Sequence, residues 1–316
     1  MPVTKPLQRA ARIVAFDCLA IKPREKAVIV TDAPCRAVGD ALWSVLRHHA
    51  EAILVEMNPR EIHGMEPPQL IAELLNRCDV FIIPTSRSLT HTKARINACR
   101  AGARGATMPG ITADMMIRTL NADYRRIARL TGRVASRLTS ARKARIRTVD
   151  GTDLELDLRG RIGDPDTGIV VKSGAFSNLP AGEAYIAPVE SKSEGVVVVD
   201  GSFAPFGRLS RPVRLEVRHG RIERITGHDR LKAVFDRYGA RERVLCELGI
   251  GTNYKAIITG NVLEDEKVLG SVHVAFGNNL GFGGRNQASI HLDGVITKPS
   301  FWLDDEPVII KGKLLL

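Results

Sequence analysis

Four short apolar runs constrain the first part of the chain more than any other feature. KAVIVTD, AILVEM, DVFIIPTS and ARGATMP are separated by stretches of helical period near 36–50, 68–77 and 91–101, and a further amphipathic helix near 5–20 precedes them. Apolar strands alternating with helices of about ten to fifteen residues call for a parallel sheet, with crossover helices on both faces. No GxGxxG follows the first run, so this doubly wound domain lacks the dinucleotide fingerprint. A helical stretch over 112–139 closes it.

Beyond that point the period changes. RIRTVDGTDLELDL and VRLEVRHGRIERITG alternate apolar and polar residues around Asp-Gly and His-Gly, the signature of antiparallel hairpins. IITGNV, SVHVAF, ASIHLDGV and PVIIKGKLLL also read as strands, with one helix near 229–239. The expected architecture is an α/β doubly wound domain over 1–139, then a mainly antiparallel, β-rich, metal-binding domain over 140–316.

The chain has 316 residues, 44% of them hydrophobic, enough for two cores. It has no run of about 18 apolar residues, so no membrane span is expected. Arg12 and Asp17 interrupt the apolar residues near the start, which therefore does not read as an export signal. Cys18, Cys35, Cys78, Cys99 and Cys246 are scattered without a CxxC, arguing against a disulfide scaffold or zinc ribbon and for a reducing cytoplasm. The net charge of +11 raises nucleic-acid binding. However, the densest arginines, Arg118 to Arg147, have helical spacing and no interleaved aromatics, so they read as a helix flank or subunit contact.

The residues with chemistry lie near the C-terminus. On a strand, residues two apart share a face, so His291 and Asp293 of SIHLD point one way and Ile290 and Leu292 the other. In SVHVAFG, His273 opposes Val272, Val274 and Phe276. Imidazole and carboxylate are ligands for zinc, cobalt, manganese or iron. Each histidine alone fits a satisfied core residue better than a ligand, whereas the H-x-D pair with a second strand histidine makes the two readings about equal, and both stay open at this point. Glu183, in the stiff NLPAGEAYIAP segment, and Glu247, in LCELGIGTN, are acids set among apolar and glycine residues, which implies pairing, protonation or metal. Glu190 reads as a surface acid. Arg285 offers a bidentate contact to a substrate carboxylate, or is a solvated turn residue. His91 begins a helix capped by Thr90, or touches substrate.

NLPAGEAYIAPVE, ELGIGTN, the EK…GSVHVAFGNN run and HLD, with PTSRSLTHTKAR and ATMPGIT upstream, together resemble the thermophilic-metalloprotease aminopeptidases of the aminopeptidase T and aminopeptidase S type. The resemblance implies two divalent ions (zinc, cobalt or manganese) held by Glu183, Glu247, His273, His291 and Asp293. It also implies a homodimer, and Glu183 or Glu247 as the proton carrier in hydrolysis of a peptide or amide. The chain departs from the family in having Leu280 where a tyrosine is expected, and in being shorter. It also resembles the mononuclear-iron dihydroxypyridine ring-cleaving dioxygenases in length and in HLD, which implies one Fe(II). In their pattern a histidine stands at the place of Glu247 and the histidine of the HVAFG strand is absent, whereas this chain has Glu247 and His273. The expectation is a cytoplasmic metallohydrolase. The alternatives are an iron dioxygenase and a basic binding protein with a vestigial site.

Overall fold

The protein is described from a computed structural model covering residues 3–316. Two compact units emerge, one ending at Ala128 and taking back Thr167–Ala181, the other comprising Arg129–Asp166 and Gly182–Leu316. A single cut at 139 therefore does not describe the chain. The helix Tyr124–Ser140 belongs to the second unit from Arg129 onward, while a later segment returns to the first.

In the first unit a five-stranded parallel sheet runs in the order Glu51–Met57, Lys26–Asp32, Val80–Thr85, Arg104–Pro109, Phe176–Asn178. The central strands are apolar because both faces are covered. Val28 and Val30 share a core with Ile71, Leu75, Ala94 and Ala98 of the helices Gln69–Leu75 and Lys93–Arg100. Thr31, on the opposite face, meets the helix Arg36–Leu46 at Gly39, where a Cβ would lie 3.0 Å from the threonine. The doubly wound arrangement is present, with a fifth strand contributed by the returning segment.

Two local expectations are corrected. The helix after SLTH starts at Lys93 and is capped by Thr92, whose hydroxyl accepts from the Arg95 N–H; Thr90 instead bonds Thr107 and Asn178. IITGNV is not a strand. Its Thr259 and Gly260 N–H groups donate to the Asp265 carboxylate, and Asn261 caps the short helix Val262–Asp265, so no ladder can form there.

The second unit holds an eight-stranded and a seven-stranded sheet, in both of which the pairings are antiparallel. One core lies between them: Ile146, Leu154, Val197 and Leu215 from the first sheet meet Ile186, Leu248, Ile250, Val272, Val274 and Phe276 from the second. With alternate residues committed to that core, the other face of the seven-stranded sheet is left for polar groups. Among the described residues, no helix is long and apolar enough to cross a membrane.

Candidate metal centre

Four adjacent strands of the seven-stranded sheet, Glu183–Ile186, Leu245–Gly251, Val272–Gly277 and His291–Ile296, carry the titratable residues. The register sets Gly251 opposite Glu183, Gly249 opposite His273, Ala275 opposite both Glu247 and Asp293, and Gly277 opposite His291. Residues opposite one another share a face. Glu183, Glu247, His273, His291 and Asp293 therefore rise together from the face away from the core.

The glycines of GIG make the space. A Cβ on Gly249 would lie 2.0 Å from the His273 ring, which rests on that glycine. At Gly251 a Cβ would lie 2.0 Å from the Val268 carbonyl oxygen, so glycine there lets the chain after Val262–Asp265 run against the sheet. That passage brings in two residues the sequence reading did not single out, Glu266 and Lys267. Only the EK of the resemblance pointed to them.

The geometry is close. His273 Nε2 lies 3.2 Å from Glu247 Oε1 and 3.5 Å from Glu183 Oε2. His291 Nε2 lies 3.3 Å from both Glu247 Oε2 and Asp293 Oδ1. The other nitrogen of His291, Nδ1, donates to the Asn278 carbonyl at 2.8 Å, with the Cys246 sulfur at 3.6 Å. This fixes the tautomer and leaves Nε2 free to act as a ligand. Lys267, only 1% exposed, donates to Glu183 Oε1 at 2.5 Å and also to Glu266, with Asp166 at 4.0 Å.

Ligand atoms of Glu183, Glu266 and His273 lie within 4.8 Å of one another, and so do those of Glu247, His273 and Asp293. Glu183 Oε2 and His273 Nδ1 are buried and make no hydrogen bond among the described residues. A buried carboxylate oxygen without a donor is costly unless a cation faces it. The donor set thus fits divalent ions: four carboxylates and two imidazoles converge on one largely buried face.

The charges are tuned against one another. Burial pushes the Glu183 carboxyl above its usual range, against the pull of Lys267, and pushes Glu266 up to about 8. For Glu247 burial acts in the same direction, but hydrogen bonds from His273 and His291 outweigh it and bring the group down to about 2. Burial would lower His273, yet Glu247 and Glu183 raise it to about 9; Asp293 likewise holds His291 well above its ordinary value. Without ions, protons on the imidazoles take the place of cations.

The remaining candidates lie elsewhere. Arg285 is exposed, and its backbone N–H donates to Glu190. Glu190 is not an ordinary surface acid: it pairs with Arg161 and accepts from Asn279 and Arg285, pinning the glycine-rich loop. Phe282 of that loop packs edge-on against Tyr185 and His291. His91 is exposed in the first unit, just before its helix. Leu280 is exposed.

A family model described as NicX, 2,5-dihydroxypyridine 5,6-dioxygenase, matches residues 18–316. A 2,5-dihydroxypyridine 5,6-dioxygenase of Pseudomonas putida KT2440 is 25% identical over 194 residues, 56% of this chain and 55% of that protein, so the match spans about half of the curated relative. The solved structure of the 2,5-dihydroxypyridine dioxygenase from Pseudomonas putida KT2440 matches with a TM-score of 0.81 at 18% identity, covering 99% of this chain and 98% of that one. Wild-type AmpT from Thermus thermophilus matches with a TM-score of 0.71 at 15% identity, covering 99% of each chain. At these identities the solved structures establish a shared fold.

Proposed function

The chain belongs to the 2,5-dihydroxypyridine 5,6-dioxygenase (NicX) family, and within it we propose that this member is a two-ion metallohydrolase acting on an amide or peptide bond. The observation that carries the reading is the gathering of four carboxylates and two imidazoles in two overlapping ligand sets, with His273 able to serve one ion of the pair. One comprises Glu183, Glu266 and His273. The other comprises Glu247, His273 and Asp293, with His291 between Glu247 and Asp293.

Charge supports two ions rather than one. When ionised as ligands, Glu183, Glu247, Glu266 and Asp293 bring four negative charges against the single positive charge of Lys267, and Asp166 adds a fifth at 4.0 Å from the ammonium. Two divalent ions balance that count; one leaves a doubly negative, largely buried site, which is expensive.

When bound, a divalent pair supplies an acidified water and a positive field for the developing oxyanion. The chain's own residues do the rest. Glu183 and Glu247 are the two carboxylates placed to carry the proton, with Lys267 already holding Glu183 Oε1. One of these two carboxylates takes up the proton of the attacking water and passes it to the leaving amine. Phe282 packs edge-on against the His291 ring and forms one wall of the site on that side.

A second reading, a one-iron ring-cleaving dioxygenase, is favoured by the family model itself. Two histidines and one carboxylate form a facial set for Fe(II). Elemental analysis of anaerobically purified protein separates the readings. Two zinc, cobalt or manganese ions per chain, with release of amine from aminoacyl amides, dipeptides or cyclic amides, are expected. One iron with oxygen uptake on a dihydroxypyridine overturns the hydrolase in favour of the second reading. No metal, with unchanged thermal stability in His291→Ala, overturns both and leaves a basic binding protein.

A further inference from the structure

We propose that Lys267 is a positioning residue, a built-in cation that holds Glu183 and Glu266 together so that each turns its other oxygen toward His273. The inference rests on the two-ion reading above and assigns a role to a residue outside its ligand sets.

Three features carry it. The ammonium is 1% exposed and donates to one oxygen of each glutamate. Glu183 Oε2, the oxygen left over, has no hydrogen bond among the described residues and lies 3.5 Å from His273 Nε2. The backbone that delivers Lys267 is fixed on both sides: its carbonyl accepts from the Asn253 N–H at 2.9 Å, and its own N–H donates to the Glu264 carbonyl at 3.0 Å. The backbone at Lys267 also runs close against Gly251, where a Cβ would lie 2.7 Å from the Lys267 carbonyl carbon.

Two effects of this charge oppose each other. By Coulomb repulsion an ammonium beside a metal site weakens cation binding, so its removal would tighten it. As a clamp it prevents two buried carboxylates from separating or sharing a proton, so its removal would loosen binding. Its direct bonds to one oxygen of each glutamate leave the facing oxygens for the ion, which makes the clamp the larger effect. The sign of the change is therefore diagnostic.

The test is titration of metal-stripped protein with Zn²⁺ against a chromophoric chelator, in the wild type and in Lys267→Met and Lys267→Arg. The wild type is expected to take two ions. Lys267→Met is expected to keep one ion at wild-type affinity and to bind the other roughly 10- to 100-fold more weakly; Lys267→Arg recovers most of the loss. Should Lys267→Met fail to fold by thermal scan, Lys267→Gln, which keeps a donor without the charge, is read in the same way. Two ions bound equally or more tightly in the folded neutral variant overturn the clamp and leave the two-ion reading intact. A wild type that takes only one ion overturns both.

Discussion

At the scale of the residue, the site depends on side chains that are absent as much as on those present. His273 occupies the space above Gly249, so Gly249→Ala forces the ring aside or the strands apart. Overpacking of this kind costs roughly 1–3 kcal/mol, and the displaced ring should also lower metal content; a thermal scan with elemental analysis checks both. The charge of His273 gives a second prediction. Burial disfavours its proton, but Glu247 and Glu183 outweigh that and raise the group to about 9. Because the folded value lies above the usual range near 6.5, the stabilisation is complete below about pH 6.5 and is lost as pH rises through 9. Ions compete with those protons, so the loaded protein gains affinity over the same window. Melting temperature measured from pH 6.5 to 9.5 should fall in chelator and hold or rise with Zn²⁺; a fall of equal size in both would count against ions at this face. His273, His291 and Asp293 were legible in the sequence because strand period two places one polar group among apolar neighbours. Glu266 and Lys267 were not, since their position depends on a chain passage allowed by Gly251 in another element.

At the scale of the element, the alternating strands and helices of the first unit could be read because each apolar run has one period and one fate. What could not be read were segments whose partners are distant. IITGNV is apolar enough for a strand, yet Asp265, a few residues on, captures the backbone donors a ladder would need. The strand Phe176–Asn178 joins the parallel sheet from beyond a hairpin of the other unit, and nothing local announces it. The loop after Val272–Gly277 has a similar hidden support. Glu190 pairs with Arg161, accepts the Arg285 N–H at 2.6 Å and the Asn279 amide at 3.2 Å, and so fixes a stretch rich in glycine. Glu190→Ala leaves the partly buried Arg161 uncompensated and frees that loop, at a cost of about 1–3 kcal/mol. The expected readout is faster amide exchange over 279–286 with the strand Leu245–Gly251 unchanged; exchange that is uniform across the unit, or unaltered, would show that Glu190 does not anchor this loop. In contrast, Gly132 lies within the helix Tyr124–Ser140 with open space at its Cβ position, so Gly132→Ala should stabilise the protein by roughly 0.5–1 kcal/mol in denaturant unfolding.

At the scale of the whole molecule, two units with separate cores need not share a response to ligand. All the proposed ligands, with Lys267 and Asp166, lie in the unit formed by Arg129–Asp166 and Gly182–Leu316. Binding that favours the folded form of that unit stabilises it by RT ln(1 + [L]/Kd), about 2.7 kcal/mol at a hundredfold excess over Kd. Amides that exchange only when the unit opens should slow by roughly the corresponding factor of 100. The strands Leu245–Gly251 and Val272–Gly277 face both that core and the site, so their amides report the effect most directly. Lys26–Asp32, in the other unit, serves as the internal reference. Exchange followed by mass spectrometry with Zn²⁺ and then with excess chelator should therefore show a large difference in the first two strands and little in the third. Equal protection of all three would mean that the units open together. No difference anywhere would mean that the carboxylates and imidazoles of this face are satisfied by protons and Lys267 alone, and the metal reading of the site would fall.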